Sequence, residues 1–262
     1  MILEEPLVLR TDRADGLTTL TLNRPGQFNS LSKDLLTALQ HELDDIAASE
    51  TVRVVVIAGA GKAFCAGHDL KEMRANPDKR FMQALFKQCG DLMLTLTRMP
   101  QPVIARVHGI ATAAGCQLVS MCDLAVAADV AKFAVSGINV GLFCSTPAVG
   151  LARNLGRKAA LEMLLTGDFI DAMEAKSKGL VNRVVPADAL DSEIERLTQS
   201  ILAKSAVAVR MGKGMFYRQL EMGLDDAYAY AGEVMACNMM SDDAGEGIDA
   251  FMQKRKPAYT GR

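Results

Sequence analysis

Apolar and polar residues alternate through 6–12 and again through 16–23, on either side of Asp15-Gly16, which predicts a β-hairpin. Arg24-Pro25-Gly26 breaks the alternation, and the period then changes. Leu35, Leu36, Leu39, Leu43 and Ile46 recur at helical spacing, with Ser32 placed as an N-cap and Asp34 in the first turn, so a helix is expected through Ala48. Val52 to Ile57 is a nearly continuous apolar run of the kind that forms a strand covered on both faces. Residues 78–98 carry Phe81, Leu85, Leu92 and Leu96 in a helical pattern, and Pro100 and Pro102 end it and open a second apolar strand from Val103 to His108. Leu124 to Ala127 predicts another short buried strand. Residues 132–147 read as a loop-rich connection, followed by helices over about 148–154, 157–166 and 171–178 and a strand over 179–185. From about 188 onward the pattern is helical, with a polar tail at Lys254-Arg255-Lys256-Pro257. Strands alternating with helices, then helices alone, predict an α/β core over 1–187 and a helical region over 188–262.

Composition narrows the class. A chain of 262 residues, half of them apolar, suits one large domain or one domain with an appendage and a substantial core. No apolar run is long enough to span a bilayer. A net charge of −2 draws the molecule to neither nucleic acid nor an anionic membrane. The six cysteines lie in or beside apolar stretches without metal-ligand spacing, which predicts reduced, mostly buried thiols and no metal site. The stretch Met1-Ile-Leu-Glu-Glu-Pro6 has neither the basic start of a secretory signal nor the Arg-rich character of a transit peptide, so the cytoplasm is expected.

Candidate chemistry centres on residues 103–123. An apolar strand runs into Gly109-Ile-Ala-Thr-Ala-Ala-Gly115, where five of seven residues are Gly or Ala, and a short apolar helix follows. Small residues let a ligand approach the backbone, and a helix starting there aims unpaired N–H groups at whatever lies in front. A developing oxyanion or a phosphate is held in this way. A plain strand-to-helix crossover with close packing gives the same pattern. Two other motifs fail on inspection. Gly61-Lys62 is followed by Ala63, so a phosphate loop lacks its Ser/Thr, and Gly59-Ala-Gly61 meets Phe64 where a dinucleotide turn has its third glycine. No G-x-S-x-G elbow is present.

Several colinear segments together resemble the crotonase superfamily, the enoyl-CoA hydratase/isomerase family. They are Leu22-Asn-Arg-Pro25, Ala63-Phe-Cys-Ala-Gly-His-Asp-Leu-Lys-Glu-Met73, Pro102 to Gly109 with Gly115-Cys116, Cys122-Asp123, Leu165-Thr-Gly167, Ala175 with Gly179-Leu-Val181, and Phe251 to Lys256. The resemblance implies a spiral of ββα turns capped by C-terminal helices, assembled as a homotrimer or dimer of trimers, and an acyl-CoA thioester ligand. It implies no cofactor beyond the coenzyme A carried by the substrate. By the same resemblance, oxyanion-hole N–H groups come from His68 and Ala114. Asp69, Leu70 and Lys71 line the acyl-CoA channel, with the Ala66 backbone near the adenine. Arg24 and the cluster beginning at Lys254, from a neighbouring helix or subunit, meet the CoA phosphates.

The chain departs from the family pattern at the acid–base groups. Family hydratases position two glutamates; here the corresponding positions hold Gln117 and Gly137. An amide orients water but does not exchange a proton in the useful range, and losing one acid–base group costs roughly 10²–10⁴ in rate. Standard hydration of a trans-2-enoyl-CoA is therefore in doubt. The alternatives are a non-catalytic acyl-CoA binder or regulator, or other thioester chemistry, such as decarboxylation or hydrolysis, that uses only the oxyanion hole. His68 is the one histidine of three in a matched site segment and could move protons if its ring faces the acyl group, while His41 is expected in solvent and His108 at a strand end. Ser136, Asn139, Cys144, Ser145 and Thr146 are candidates for the same cavity, and Cys144 would be a nucleophile only if its pKa were lowered.

Overall fold

The structure, a computed structural model, describes residues 5–262, so the first four residues of the Met1–Pro6 stretch lie outside it. The expected hairpin forms from β1 (Val8–Asp12) and β2 (Leu17–Leu22), paired antiparallel with Val8 opposite Leu22. Helix α1 (Lys33–Ala47) follows, and the Ser32 side chain accepts from the Leu35 N–H as its cap. Strand β3 (Val54–Gly59) lies parallel to β2.

From β3 onward the chain winds as a spiral, each turn placing one strand in a large sheet and one short strand in a second sheet. The first turn runs β3, β4 (Ala63–Cys65), then α2 (Leu70–Ala75) and α3 (Lys79–Arg98). The second runs β5 (Val103–Val107), β6 (Ile110–Thr112) and α4 (Ala114–Met121). The third runs β7 (Leu124–Ala128) and β8 (Lys132–Ala134), a 3₁₀ turn over Ser136–Val140, then α5 (Ser145–Asn154) and α6 (Arg157–Thr166). The chain closes with β9 (Ile170–Asp171), α7 (Ala172–Ser177) and β10 (Arg183–Val185). The large sheet is ordered β1-β2-β3-β5-β7-β10 and the small one β4-β6-β8-β9. The remaining helices are α8 (Leu190–Leu202), α9 (Ala206–Gln219), α10 (Leu224–Met239) and α11 (Asp242–Met252).

The apolar runs of the central strands have a direct cause. In β3, Val55 and Ile57 enter the main core with α1 and α3, while Val54 and Val56 face the other way, onto Leu190, Ile194 and Leu197 of α8. Alternate residues of β5 and β7 divide in the same manner. A parallel sheet covered on both faces leaves no polar positions to mark a period.

Three expectations shift. The strand predicted over 179–185 is confined to Arg183–Val185, the helix expected from about 148 begins at Ser145, and the connection 132–147 contains β8. The second-sheet strands β4, β6 and β8 have three residues each, too few to show a period. His41 is exposed beside Asp45, and His108 donates from Nε2 to the Gly61 carbonyl at 3.0 Å, tying the end of β5 to the loop before β4.

Asp123, just beyond α4, is the knot between the spiral and the C-terminal helices. Its Oδ2 accepts from the Val103 N–H at 2.6 Å and from Lys213 Nζ at 2.7 Å, and its Oδ1 from Tyr217 Oη at 2.8 Å. Lys213, 6% exposed, also donates to the carbonyls of Leu96 and Gln101. Burial pulls the Lys213 ammonium down from its ordinary value while Asp123 holds it charged. Lys213→Ala is expected to lower the unfolding free energy by about 1–3 kcal/mol, because it removes the cation that pairs with the part-buried Asp123 carboxylate; a denaturant titration measures it.

Candidate functional site

The carboxyl ends of β4, β6 and β8, neighbours in the small sheet, open onto one cavity of about 320 Å³. His68 follows β4, Ala113 and Ala114 follow β6, and Ser136 and Gly137 follow β8; all five line it. The far walls are Leu70 and Met73 of α2, Phe86 of α3, and the run from Leu142 to Pro147 that enters α5. Ligands in open α/β folds bind at such strand ends.

Successive turns of the spiral touch here through backbone. A Cβ on Gly115 would overlap the Cys65 carbonyl, and one on Gly67 (φ +90°) would lie 2.8 Å from Ala113 Cβ and 3.1 Å from the Ala114 nitrogen. The residue that joins β6 to α4, Ala113, sits at φ 50°, ψ −120°, a conformation costing a non-glycine residue about 1–3 kcal/mol. Its N–H donates to the Ala134 carbonyl and its carbonyl accepts from Gln117 N–H, which fix it there.

Two N–H groups have no partner among the described residues. Leu31 pairs with the segment around His68 by donating to the Gly67 carbonyl and accepting from Asp69 N–H, so the His68 N–H is outside the bridge. Ala114 opens α4, and the first N–H groups of a helix have no partner within it; no side chain caps this one. Both residues line the cavity within one contact of each other through Gly67. Paired N–H donors at a helix start can hold an oxygen on which negative charge develops.

The side chains around them are neutral. The His68 ring packs edge-on against Phe86, centroids 5.4 Å apart, and burial pushes its pKa below the ordinary value. Its Nδ1 lies 3.4 Å from the Leu31 carbonyl, which can only accept, so Nδ1 carries the proton and the buried, unpartnered Nε2 a lone pair. Cys144 receives the Gly137 N–H at its sulfur, yet burial raises the thiol, which excludes it as a ready nucleophile. Burial likewise pushes Cys65, Cys89 and Cys116 up to about 12, the inert thiols that the sequence predicts.

Gly137 has no room for a side chain. A Cβ there would stand 2.5 Å from the Leu142 carbonyl and 2.7 Å from Cys144 Sγ. Gln117, 4% exposed, is absent from the lining and lies one turn further along the α4 face that begins at Ala113 and Ala114.

Of the other expected site residues, Ala66 and Leu70 line the cavity with Ser136, Ser145 and Thr146, whereas Asn139 donates instead to the Gly167 carbonyl. Asp69 caps α2 through the N–H groups of Lys71 and Glu72 and pairs with Arg24 at 3.0 Å. Burial opposes the Asp69 charge, but these donors outweigh it and keep the carboxyl below its ordinary value. Arg24, also donating to the Ser30 carbonyl at 2.6 Å, is engaged within the chain. Lys71 is exposed beside Leu70 and is neither ion-paired nor hydrogen-bonded through its side chain to the described residues. Lys254 stands beyond α11, which packs on α9 and α10, away from the cavity lining of its own chain. Phe86 and Met73, with Val140, Leu142, Phe143 and Pro147, are wall residues that the sequence does not single out; Phe86 stands off the buried Leu85–Leu92–Leu96 stripe of α3, and that offset is its signal.

A family model described as "Enoyl-CoA hydratase/isomerase" matches residues 12–262. Enoyl-CoA hydratase domain-containing protein 3, mitochondrial, of Rattus norvegicus is 43% identical over 256 residues, covering 98% of this chain and 85% of that protein. The crystal structure of an enoyl-CoA hydratase from Mycobacterium smegmatis is 60% identical, with a TM-score of 0.96 over 97% of this chain and 99% of the other. That of the human enoyl-CoA hydratase domain-containing protein 3 is 43% identical, with a TM-score of 0.94 over 97% and 100% of the two chains. The chain belongs to the enoyl-CoA hydratase/isomerase family.

Proposed function

We propose that this protein binds an acyl-CoA thioester with its acyl group in the cavity and its carbonyl oxygen on the His68 and Ala114 N–H groups, and that two-carboxylate enoyl-CoA hydration is not its reaction. The observation that carries the second half is the closed space at Gly137, where the Leu142 carbonyl and Cys144 Sγ take the place of a side chain. The amide of Gln117 supplies no proton. Among the described residues no aspartate or glutamate lines the cavity, and His68 is the lining side chain whose ordinary pKa lies near neutrality. The first half stands on the paired, unused N–H groups and on walls that are mainly apolar. This leaves an acyl-CoA binder, or a thioester enzyme that works through carbonyl polarisation.

The coenzyme A moiety would lie outward from Ala66 toward Lys71, with Lys254 supplied by another copy. A homotrimer or dimer of trimers is supported by the apolar face of the C-terminal helices, where Leu224, Tyr228, Met235, Met240 and Phe251 are each at least 70% exposed. The six free thiols suit a reducing compartment, taken here as the cytoplasm; the rat relative is named a mitochondrial protein. No helix among the described residues is long and apolar enough to cross a membrane.

Adding crotonyl-CoA should shift the conjugated-thioester absorbance to longer wavelength without consuming it. Rapid loss of that absorbance would mean hydration and would overturn the proposal. Ala114→Pro, which removes one N–H, should abolish the shift while free coenzyme A still binds.

Gly137→Ala should cost about 1–3 kcal/mol of stability by overpacking, and Gly137→Glu should not restore hydration; thermal unfolding and a hydration assay check the two. Met240→Glu with Phe251→Glu should convert the assembly to monomers in light scattering, with weaker acyl-CoA binding because Lys254 is then withdrawn.

A further inference from the structure

Strand β4 stands at one end of the small sheet, with β6 as its neighbour. Their pairing shifts register between Ala63 and Cys65, and such an irregularity bends a strand and re-aims the residues that follow it. At that point a side chain takes the strand's carbonyls. Asn29 Nδ2 lies 2.8 Å from the Ala63 oxygen, 2.8 Å from the Ala60 oxygen and 3.2 Å from the Phe64 oxygen. Its Oδ1 accepts from the Arg24 N–H at 2.9 Å, so both ends of the amide are engaged. The residue is fully buried and stands at φ 54°, in the left-handed region that asparagine tolerates better than most side chains.

The segment around Asn29 also holds the chain beyond β4. The Phe28 carbonyl accepts from the Ala66 N–H at 3.0 Å, and Leu31 donates to the Gly67 carbonyl at 2.7 Å. Asn29 fixes the near end of this run, and Phe28 and Leu31 fix the far end, where His68 lies. Gly59 leaves the amide its space, since a Cβ there would stand 2.9 Å from Asn29 Nδ2. A carboxylate in the same place would set acceptors against acceptors. Asn29 does not line the cavity, so it acts on a ligand only through the backbone that it bends. A hydrogen-bond donor stabilises charge on an oxygen only if it already points there.

We propose that Asn29 is a positioning residue for the His68 N–H: its amide fixes the bend of β4, and the bend aims that N–H at the carbonyl oxygen of the bound thioester. This role rests on the acyl-CoA reading of the cavity.

The test compares the wild type with Asn29→Gly, which accepts the positive φ and removes the amide, and with the milder Asn29→Ser, which leaves one hydroxyl donor. Leu197→Ala, in the cluster on the α8 face of the large sheet, controls for lost stability alone. Thermal unfolding, calorimetric affinity for free coenzyme A and the absorbance of crotonyl-CoA at saturation are measured for each. In both Asn29 variants the long-wavelength shift should fall below about half of its wild-type size, because a donor turned away from the oxygen no longer polarises it. Affinity for free coenzyme A, which has no thioester carbonyl, should stay within about twofold. Leu197→Ala should melt at a lower temperature and keep the full shift. A full shift in either folded Asn29 variant would overturn the positioning role and leave the acyl-CoA reading standing. So would an equal loss of shift in Leu197→Ala. Absence of any shift in the wild type would overturn the reading of the carbonyl on the His68 and Ala114 donors, and this role with it.

Discussion

Where one turn of the spiral crosses the next, there is no room for a side chain, and the site depends on that contact. Gly115 presses on the Cys65 carbonyl, Gly109 on the Lys62 carbonyl, and Gly67 on Ala113. Each is a place where backbone meets backbone at van der Waals distance, which only glycine permits. The contacts bring the end of β4 against the start of α4, so residues 68 and 114, far apart in sequence, line the same cavity. A methyl group at 115 would separate the two strand ends and so disperse the donors. The strain stored at Ala113 belongs to the same crossing, since the chain must turn from β6 into α4 with no space to do it gradually.

The other end of α4 is held just as firmly by different physics. Asp123 follows its C-cap Cys122 and takes donors from the start of β5 and from two residues of α9. An eight-residue helix pinned at its start by close packing and at its finish by a half-buried carboxylate holding three donors has little freedom to shift. That rigidity matters for donors which act only if they already point at the developing charge. It also ties the C-terminal helices to the site, because Lys213 and Tyr217 are one helical turn apart on α9. A further clamp of the same type sits at the end of the chain. There, buried Asp243 accepts from Ser205 Oγ and from the N–H groups of Thr260 and Gly261, drawing the tail against the starts of α9 and α11.

Much of this order is legible in the residues. Helices α1 and α3 announce themselves through the spacing of Leu35, Leu39 and Leu43 and of Leu85, Leu92 and Leu96, and α1 also through its cap Ser32. The strands β3, β5 and β7 are legible as apolar runs because both sheet faces are covered. The small sheet is not, since three-residue strands carry no period and the pairing partners of Cys65 and Phe133 are distant in sequence. At the site, Ala114 and His68 stand out through their small-residue surroundings. The closure around Gly137 does not, because it depends on the path of residues 142–144, which no local pattern fixes. The engagement of Arg24 by Asp69 is invisible for a similar reason: an exposed cation and an ion-paired one look alike along a chain.

An amide at position 117 and a glycine at 137 set a different field in the cavity from that of a site with two carboxylates. A glutamate within about 4–6 Å of the thioester opposes the negative charge that develops on its carbonyl oxygen, so a two-carboxylate site must balance base strength against enolate stability. Among the described residues no carboxylate lines the cavity beside His68 and Ala114, so an N–H there acts in a medium poor in competing charge. Such a cavity is better suited to gripping and polarising a thioester than to moving protons across it. The burial that lowers the His68 pKa works in the same direction, keeping the imidazole uncharged and its Nε2 an acceptor. The cavity's neutrality leaves hydrogen bonding and apolar contact, rather than charge, as the means by which it can hold a ligand.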